Sequence, residues 1–310
     1  MSRWRVAARQ VAHWTLPLGF QNLLRPSSGP DSLSAPASPQ VDAKSNRLFK
    51  DRHQGQRCFI CATGPSVKDQ DLAALAGELC IGVSFFFLHP DISTIRPLYH
   101  LLAPNHPPFD FDLAARYFDG IQKNYAPTTT IFCGHRPYAF SYLNYIAQES
   151  LILPNELHFV DYSQSPTLGE ANHMEEDLWD ITAHPFEVRT VLYSAIQLAA
   201  YMGCDPIYLL GCDHDYLRDL GRTENHFYAE DGGNPNDAQH LNEFATERWF
   251  LEYYCRWRDY RLMQDYLRSR GRQIFNATDG GMLDVFPRVS LGDVITTAPQ
   301  VPRLTDASSW

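Results

Sequence analysis

The chain has 310 residues, of which 44% are hydrophobic and 20% are charged, a balance typical of a folded globular protein rather than a disordered one. Its formal net charge of -10 and the lack of a long basic run argue against nucleic acid as a partner. The seven cysteines are scattered and odd in number, which argues against a disulfide framework and favours a reducing, cytoplasmic compartment.

Residues 1–24 mix three arginines with tryptophans and aliphatic residues but contain no continuous apolar core, which argues against a signal peptide. Two interpretations stay open: a helix packed on the domain or frayed, or a basic amphipathic segment in peripheral contact with the inner membrane surface. Residues 25–45 are rich in Pro, Ser, Gly and Asp, as linkers are. We therefore expect a domain over residues 46–290, followed by a C-terminal tail at 291–310.

Short apolar runs that end in turns predict seven strands. They are Arg57–Ala62, Cys80–Val83, Leu98–Ala103, Thr128–Phe132, Leu157–Val160, Pro206–Gly211 and Gln273–Phe275. Helical spacing of apolar residues predicts helices at Asp69–Leu79, Arg189–Met202 and Ala238–Arg270. This alternation predicts an α/β fold: a Rossmann-like, mostly parallel sheet with helices on both faces, a lid-like loop and a long C-terminal helix.

In such sheets, ligands bind beyond the carboxyl ends of the strands, near the point where the strand order reverses. The loops after the first, second, third and sixth strands should therefore line one crevice. Cys58 and Cys61 lie three residues apart on a predicted strand, so they face opposite sides of the sheet and cannot share a metal ion.

The first strand is followed by the turn Thr63-Gly64-Pro65-Ser66. Gly64 permits close approach of the backbone to a ligand, and Pro65 stiffens the turn. Ser66 offers a hydroxyl group, and the N–H groups that follow it are placed to bind a phosphate. The pattern is neither a G-x-G-x-x-G fingerprint nor a Walker A loop. Local chemistry leaves nucleotide binding and an ordinary tight turn as alternatives.

Polar residues also follow the second and third strands. Ser84 is a candidate to bind a base or ribose, whereas Phe85, Phe86 and Phe87 after it are more typical of a core than of a stacking surface. Asn105 is placed either to touch a ligand or to form a surface turn.

Gly211 ends the clearest central strand and is a candidate to contact the nucleotide, and Asp213 and Asp215 follow it. Asp213 is a candidate to bind a nucleotide sugar or ribose hydroxyl, and the two carboxylates together are an alternative site for a divalent ion. Arg189, which precedes the helix before this strand, is placed either to pair with a phosphate or to remain a surface charge.

The polar stretch 217–237 is long enough to predict a lid. His226 within it is either a surface residue or a general base suited to near-neutral pH, and Glu230 is the alternative base. Tyr216 and Tyr228 flank this histidine in the sequence and are candidates to contact substrate or phosphate.

Four ordered segments resemble the MptE-like family (6-hydroxymethylpterin diphosphokinase MptE-like, domain 115), which includes archaeal diphosphokinases and bacterial flagellin-glycosylation factors. The segments are Arg57–Ser66, Cys80–Ser84, Ile207–Asp213 and Ile274–Thr278. The family is similar in fold to bacterial sialyltransferases that use CMP-activated sialic acid. The resemblance covers about residues 46–290 and implies a Rossmann-like nucleotide site.

The resemblance to the sialyltransferases also implies residue roles. It implies that Gly64, Pro65, Ser66 and Ser84 contact the CMP part, and that Thr63 stands where those relatives have an asparagine.

An arginine of those relatives matches Arg189. Their catalytic loop reads His-Tyr-x-x-His; its first histidine matches His226, and its catalytic position falls on Glu230.

Three functions follow as hypotheses. The leading one is a nucleotide-sugar-dependent glycosyltransferase of surface-glycan or protein glycosylation, with a CMP-activated sugar as candidate donor, a glycan or protein as acceptor and no tightly bound cofactor. The second is a Mg²⁺-dependent diphosphokinase acting on a 6-hydroxymethylpterin-like alcohol, with Asp213 and Asp215 as metal ligands. The third is a non-catalytic nucleotide-binding scaffold.

Overall fold

The computed structural model describes residues 41–106, 110–166, 175–186, 188–218, 226–228 and 246–296. Their centre is a seven-stranded sheet in which every paired neighbour is parallel. Its strands are β1 (Cys58–Cys61), β2 (Leu79–Val83), β3 (Tyr99–Leu102), β4 (Thr130–His135), β5 (Leu157–Asp161), β6 (Ile207–Leu210) and β7 (Ile274–Asn276). All seven predicted strands are confirmed, and each predicted end agrees with the observed end to within three residues.

The strand order is β5-β4-β3-β2-β1-β6-β7. The chain therefore builds outward from β1 to β5 on one side, then returns to place β6 against the other side of β1. The register pairs Cys58 with Leu79 of β2 and with Ile207 of β6. This order puts the switch point of the sheet between β1 and β6.

Six α-helices lie within the described residues. They are α1 (Ile92–Ile95), α2 (Phe111–Asn124), α3 (Tyr142–Glu149), α4 (Val191–Tyr201), α5 (Thr246–Ser269) and α6 (Leu291–Thr296). The predicted helix before β6 and the described part of the long C-terminal helix are confirmed as α4 and α5; residues 238–245 lie outside the described residues.

The two faces of the sheet carry separate hydrophobic cores. One contains Cys58 and Ile60 of β1 with the buried sides of α4 and α5. The other contains Phe59 and Cys61 with α2, α3 and α6. Helices thus cover both faces, as predicted, and Cys58 and Cys61 do face opposite sides because side chains alternate along a strand. The strands are nearly continuous in apolar residues because both faces are buried.

One predicted helix is wrong. Within Asp69–Leu79 only Leu72–Leu75 is helical, as a short 3-10 helix, and Leu79 already belongs to β2. Gly77 has φ +82, a left-handed turn that ends helical structure before the strand starts.

Both ends of the described chain pack against the sheet. A 3-10 helix at Ala43–Phe49 is anchored by Asn46, whose side-chain amide donates to the carbonyl oxygens of Phe159 and Ile181. At the other end, Leu291 and Val294 of α6 are buried. Residues 1–24 and 297–310 lie outside the described residues. Among the described helices, none is both long and apolar enough to pass through a bilayer.

Candidate functional site

The switch point brings together the loops that follow β1 and β6. The Thr63–Ser66 turn leaves β1, and residues 211–215 leave β6, its direct neighbour. The N–H of Gly64 donates to the carbonyl oxygen of Gly211 at 2.9 Å, so the two loops are joined by their backbones. Gly211 has φ +66, a conformation that favours glycine.

Asp213 holds the Thr63–Ser66 turn through its carboxylate. The Ser66 hydroxyl donates to Oδ2 at 2.8 Å, and the Ser66 N–H donates to Oδ1 at 3.3 Å. A Cβ at Gly64 would collide with Asp213 Oδ2 and lie 2.5 Å from the Gly211 carbonyl oxygen. Glycine is therefore required here to let the carboxylate approach the turn.

The donors expected to face a phosphate at this turn include the two Ser66 groups, and both are engaged by Asp213. The helix that follows the turn is only the 3-10 segment Pro65–Lys68. A ligand phosphate at this turn must therefore bind beside the Asp213 carboxylate or displace it.

Burial is the main cause that raises the pKa of Asp213 to about 6, and the neighbouring Asp215 charge adds to it. The bonds from Ser66 oppose this shift because they favour the charged form. Asp213 is 6% exposed, consistent with a group that changes charge just below neutral pH.

His226 lies against the same turn. Its Nδ1 atom is 3.1 Å from the Thr63 hydroxyl oxygen, and the N–H of Phe227 donates to the Thr63 carbonyl oxygen at 3.0 Å. The His226 ring stacks on Tyr228, with centroids 5.0 Å apart and an interplanar angle of 5°. An imidazole is thus held at the carboxyl end of β1. Glu230 and most of the predicted lid lie outside the described residues.

An aromatic wall follows β2. Ser84 has φ +51, and the next ring, Phe85, stacks on Tyr117 with centroids 4.4 Å apart. Tyr228 approaches the same Phe85 ring, with centroids 5.4 Å apart. Burial raises the pKa of Tyr117 to about 12, and the nearby Ser84 hydroxyl opposes the rise. Ser84 and Tyr228 therefore belong to one continuous wall beside His226.

The three phenylalanines after Ser84 are core residues, as favoured from the sequence. Phe85 is 4%, Phe86 0% and Phe87 1% exposed. Phe85 is thus the buried part of the aromatic wall, and Tyr117 and Tyr228 are its half-buried parts.

Asp215 in the loop after β6 is buried, and Tyr216, the next residue, is half-buried. His214 between the two aspartates has φ +48, and its Nε2 lies 2.8 Å from the Tyr260 hydroxyl oxygen of α5. Burial, aided by the Arg256 charge, lowers the pKa of His214 to about 3. Among the described residues, no group of three or more His, Cys, Asp or Glu side chains is arranged to hold a metal ion.

The loop after β7 is hydrogen-bonded to the loop after β6. The hydroxyl oxygen of Thr278 accepts from the N–H of Cys212 at 2.9 Å, and the N–H of Met282 donates to the carbonyl oxygen of Asp213 at 2.7 Å.

Two predicted ligand contacts are engaged elsewhere in the protein. Arg189 forms ion pairs with Asp259 at 3.0 Å and with Glu252 at 3.1 Å, both on α5. Asn105 donates its side-chain amide to the carbonyl oxygens of Asp110 and Phe140. Their roles toward a ligand stay predictions.

Sequence reasoning missed Tyr117, Tyr260 and Arg256. All three lie on helices, where aromatic and basic residues at helical spacing also fit packing or a solvated face. The signal that distinguishes them is their contact with Phe85 or His214, which only the fold provides.

No protein-family model matches the chain, and no curated protein matches it significantly. Solved structures with a similar fold include the sialyltransferase CstII from Campylobacter jejuni in complex with the substrate analogue CMP-3FNeuAc, at 14% identity and a TM-score of 0.42, over 76% of this chain and 86% of that chain. Another is the same sialyltransferase with a trisaccharide acceptor and CMP, at 13% identity and a TM-score of 0.42, over 76% and 86% of the two chains. A likeness at this level assigns neither an activity nor a residue role to the present chain.

Proposed function

We propose that the chain is a nucleotide-sugar-dependent glycosyltransferase acting on a surface glycan or a protein, with a CMP-activated sugar as the leading donor. The observation that carries the proposal is the contact between His226 Nδ1 and the Thr63 hydroxyl oxygen at 3.1 Å. It holds a candidate base at the switch point of a parallel sheet, where such folds bind nucleotides. The Gly-Pro-Ser turn and the wall after β2 flank the same position.

The reaction would proceed by general-base catalysis. His226 accepts the proton of the acceptor hydroxyl, and that oxygen forms a bond to the anomeric carbon of the donor sugar. The bond from this carbon to the phosphate oxygen breaks, and the nucleotide leaves with the electron pair. Thr63 acts as a positioning residue, because its contact with Nδ1 fixes the orientation of the ring. Glu230 is retained as the alternative base.

The leaving phosphate gains negative charge and needs nearby donors. Our candidates for these donors are Tyr228, Tyr216 and Ser84. Arg189 is held by Asp259 and Glu252, so a direct contact with phosphate would require it to leave these partners.

Thermal unfolding with CMP, CDP, UDP, GDP and ATP, each with and without Mg²⁺, tests the nucleotide site. A ligand at a hundred times its Kd stabilises the folded state by about 2.7 kcal/mol, which this method detects. We expect metal-independent stabilisation by CMP that is lost in Ser66→Ala. Ser93→Ala, an exposed position on α1, is the matched control and should respond like the unmodified protein. Absence of any nucleotide effect would overturn the proposal.

Turnover with CMP-activated sugars then tests the chemistry. His226→Ala should lower kcat by about a hundredfold or more while CMP still stabilises the protein. Tight CMP binding without turnover, in the unmodified protein and with all acceptors, would instead favour the non-catalytic scaffold.

The Mg²⁺-dependent diphosphokinase is the second candidate. One observation favours it: the Asp215 charge raises the pKa of buried Asp213, and a bound cation would relieve this repulsion. Both Asp213 oxygens already accept bonds from Ser66, however, so a metal ion would have to use their remaining lone pairs. Stabilisation by ATP only with Mg²⁺, abolished by a chelator, would support it over the glycosyltransferase.

A further inference from the structure

Two polar residues between the loop after β6 and α5 have no role in the proposed transfer reaction. They are His214 of the loop and Arg256 of α5. The Nδ1 atom of His214 and the Nε atom of Arg256 are buried, and neither has a hydrogen-bond partner among the residues that the structure describes. Buried polar atoms are nearly always paired, and leaving one unpaired is costly. Two such atoms in one cluster leave room for a further hydrogen-bonding partner beyond the described residues.

The surroundings of these atoms form a continuous set of contacts. The Arg256 guanidinium carbon lies 5.3 Å from the centre of the Tyr253 ring, and Tyr253 packs against Trp257 with centroids 5.5 Å apart. Trp257 in turn meets the edge of the His214 ring, with centroids 5.9 Å apart. Arg256 and His214 therefore line the same small region between the β6 loop and α5.

Arg256 brings a positive charge to this region, which also contains the buried carboxylate of Asp215 near Tyr253. Among the described residues, no carboxylate forms an ion pair with Arg256, whereas Arg258 on the same helix pairs with Asp259 at 2.8 Å. The nearby carboxylate of Asp284 accepts from Trp257 Nε1 at 2.7 Å. A half-buried guanidinium that lacks a carboxylate is the usual binding partner of a carboxylate or phosphate ligand.

His214 is suited to the same ligand. Its pKa is lowered to about 3 by burial and by the Arg256 charge, so the ring is neutral at physiological pH. A neutral imidazole carries one N–H, and the hydroxyl of Tyr260 can donate to Nε2, which places that N–H on Nδ1. The ring then offers a donor to an anion without adding a titrating charge.

We propose that Arg256 Nε and His214 Nδ1 form a two-donor subsite for an oxyanion group, either a carboxylate or a phosphate. The subsite lies one residue beyond Asp213 along the β6 loop, next to the nucleotide site. Its assignment to an acidic group of the transferase substrate rests on the proposed function, but the binding of the anion does not.

The test compares sodium phosphate and sodium acetate with sodium chloride at equal ionic strength, using the full chain. We expect phosphate, acetate or both to raise Tm above the chloride value, and calorimetric titration to give a measurable Kd. Arg256→Gln should weaken that binding by about tenfold or more, because it removes a charge-assisted donor. Arg261→Gln, an exposed arginine on the same helix, is the matched control and should bind like the unmodified protein.

Two further variants keep the test interpretable if Arg256→Gln folds poorly. Arg256→Lys retains the charge and lacks the Nε donor, and His214→Asn suits the left-handed backbone at this position. Each should weaken anion binding. Equal binding by all variants, or no effect of either anion beyond chloride, would overturn the subsite and indicate an internal water in its place.

A CMP titration of Arg256→Gln shows whether the bound anion is the nucleotide phosphate or a separate carboxylate. It also distinguishes failure of the subsite from failure of the proposed function. Weaker CMP binding identifies the nucleotide phosphate as the anion, and unchanged CMP binding with lost acetate binding identifies a separate carboxylate group. If anions bind but no nucleotide does, the subsite stands and the proposed function fails.

Discussion

The two sides of the loop after β6 differ in how their buried polar groups are hydrogen-bonded. On the β1 side, Ser66 and Thr63 are bonded to Asp213 and His226, so the polar groups are satisfied within the chain. On the α5 side, His214 and Arg256 each keep a buried atom that no described residue hydrogen-bonds. The first arrangement fixes a geometry before any ligand arrives, whereas the second becomes fully bonded only when a partner from outside enters. Substitutions on the β1 side should therefore cost stability, and those on the α5 side should chiefly alter binding.

Gly64→Ala gives the strongest test of the β1 side. A methyl group there would strike the Asp213 carboxylate and the Gly211 carbonyl oxygen, neither of which can move without breaking the turn. We expect a loss of about 3 kcal/mol in the free energy of unfolding, the upper range for overpacking, together with loss of nucleotide binding. Urea denaturation measures the first effect.

Gly292→Ala is the control for this substitution, because the nearest atom to its Cβ lies 3.6 Å away, an ordinary contact distance. It should stay within about 0.5 kcal/mol of the unmodified protein. Equal stability of the two variants would mean that Asp213 does not sit tightly against the turn.

Asp213→Asn tests the β1 side through the pH dependence of the free energy of unfolding. Because the folded pKa of Asp213 is raised to about 6, the folded state binds the proton more tightly than the unfolded state does. Its stabilising contribution is present below the unfolded pKa and is lost as pH rises from about 4 through 6, by roughly 3 kcal/mol in all.

The difference in unfolding free energy between Asp213→Asn and the unmodified protein should therefore move in favour of the variant across this range. Taking the difference matters, because neighbouring His214 has a lowered pKa and stabilises the folded state increasingly as pH rises. A pH-independent difference would contradict the raised pKa of Asp213.

Thr63→Val should have the smallest effect on stability, about 1 kcal/mol, because it removes one hydrogen bond while its shape is retained. Turnover should be affected more than stability, because the His226 ring loses the contact that orients it. We expect kcat to fall about tenfold with KM nearly unchanged, as for an interaction that acts in the transition state. An unchanged kcat would exclude Thr63 as a positioning residue.

The sheet was predictable from the sequence because its strands are short apolar runs buried on both faces. The meeting of the Thr63 turn with the loop after Gly211 was also predictable, since the carboxyl ends of parallel strands share one edge. Helix α2 was missed: Gly120 weakens its helical signal, yet a Cβ there would strike Phe87.

Side-chain partners were beyond sequence reasoning. Ser66 and Asp213 lie 147 residues apart, and Arg189 lies 70 residues from Asp259. Periodicity and turn chemistry describe near neighbours in the sequence, so they cannot tell whether a donor faces a ligand or another side chain. The left-handed backbone at Ser84 is likewise set by tertiary packing, because serine does not favour it.

The long separation between Ser66 and Asp213 has a consequence for biosynthesis. The first strand leaves the ribosome well before the strand that lies against it on the β6 side, and closing so long a loop is slow. Until the later segment arrives, the Gly-Pro-Ser turn has no carboxylate to hold it, and one edge of β1 is unpaired. A nascent or truncated chain that stops before β6 should thus expose β1 as a strand edge open to association with other chains.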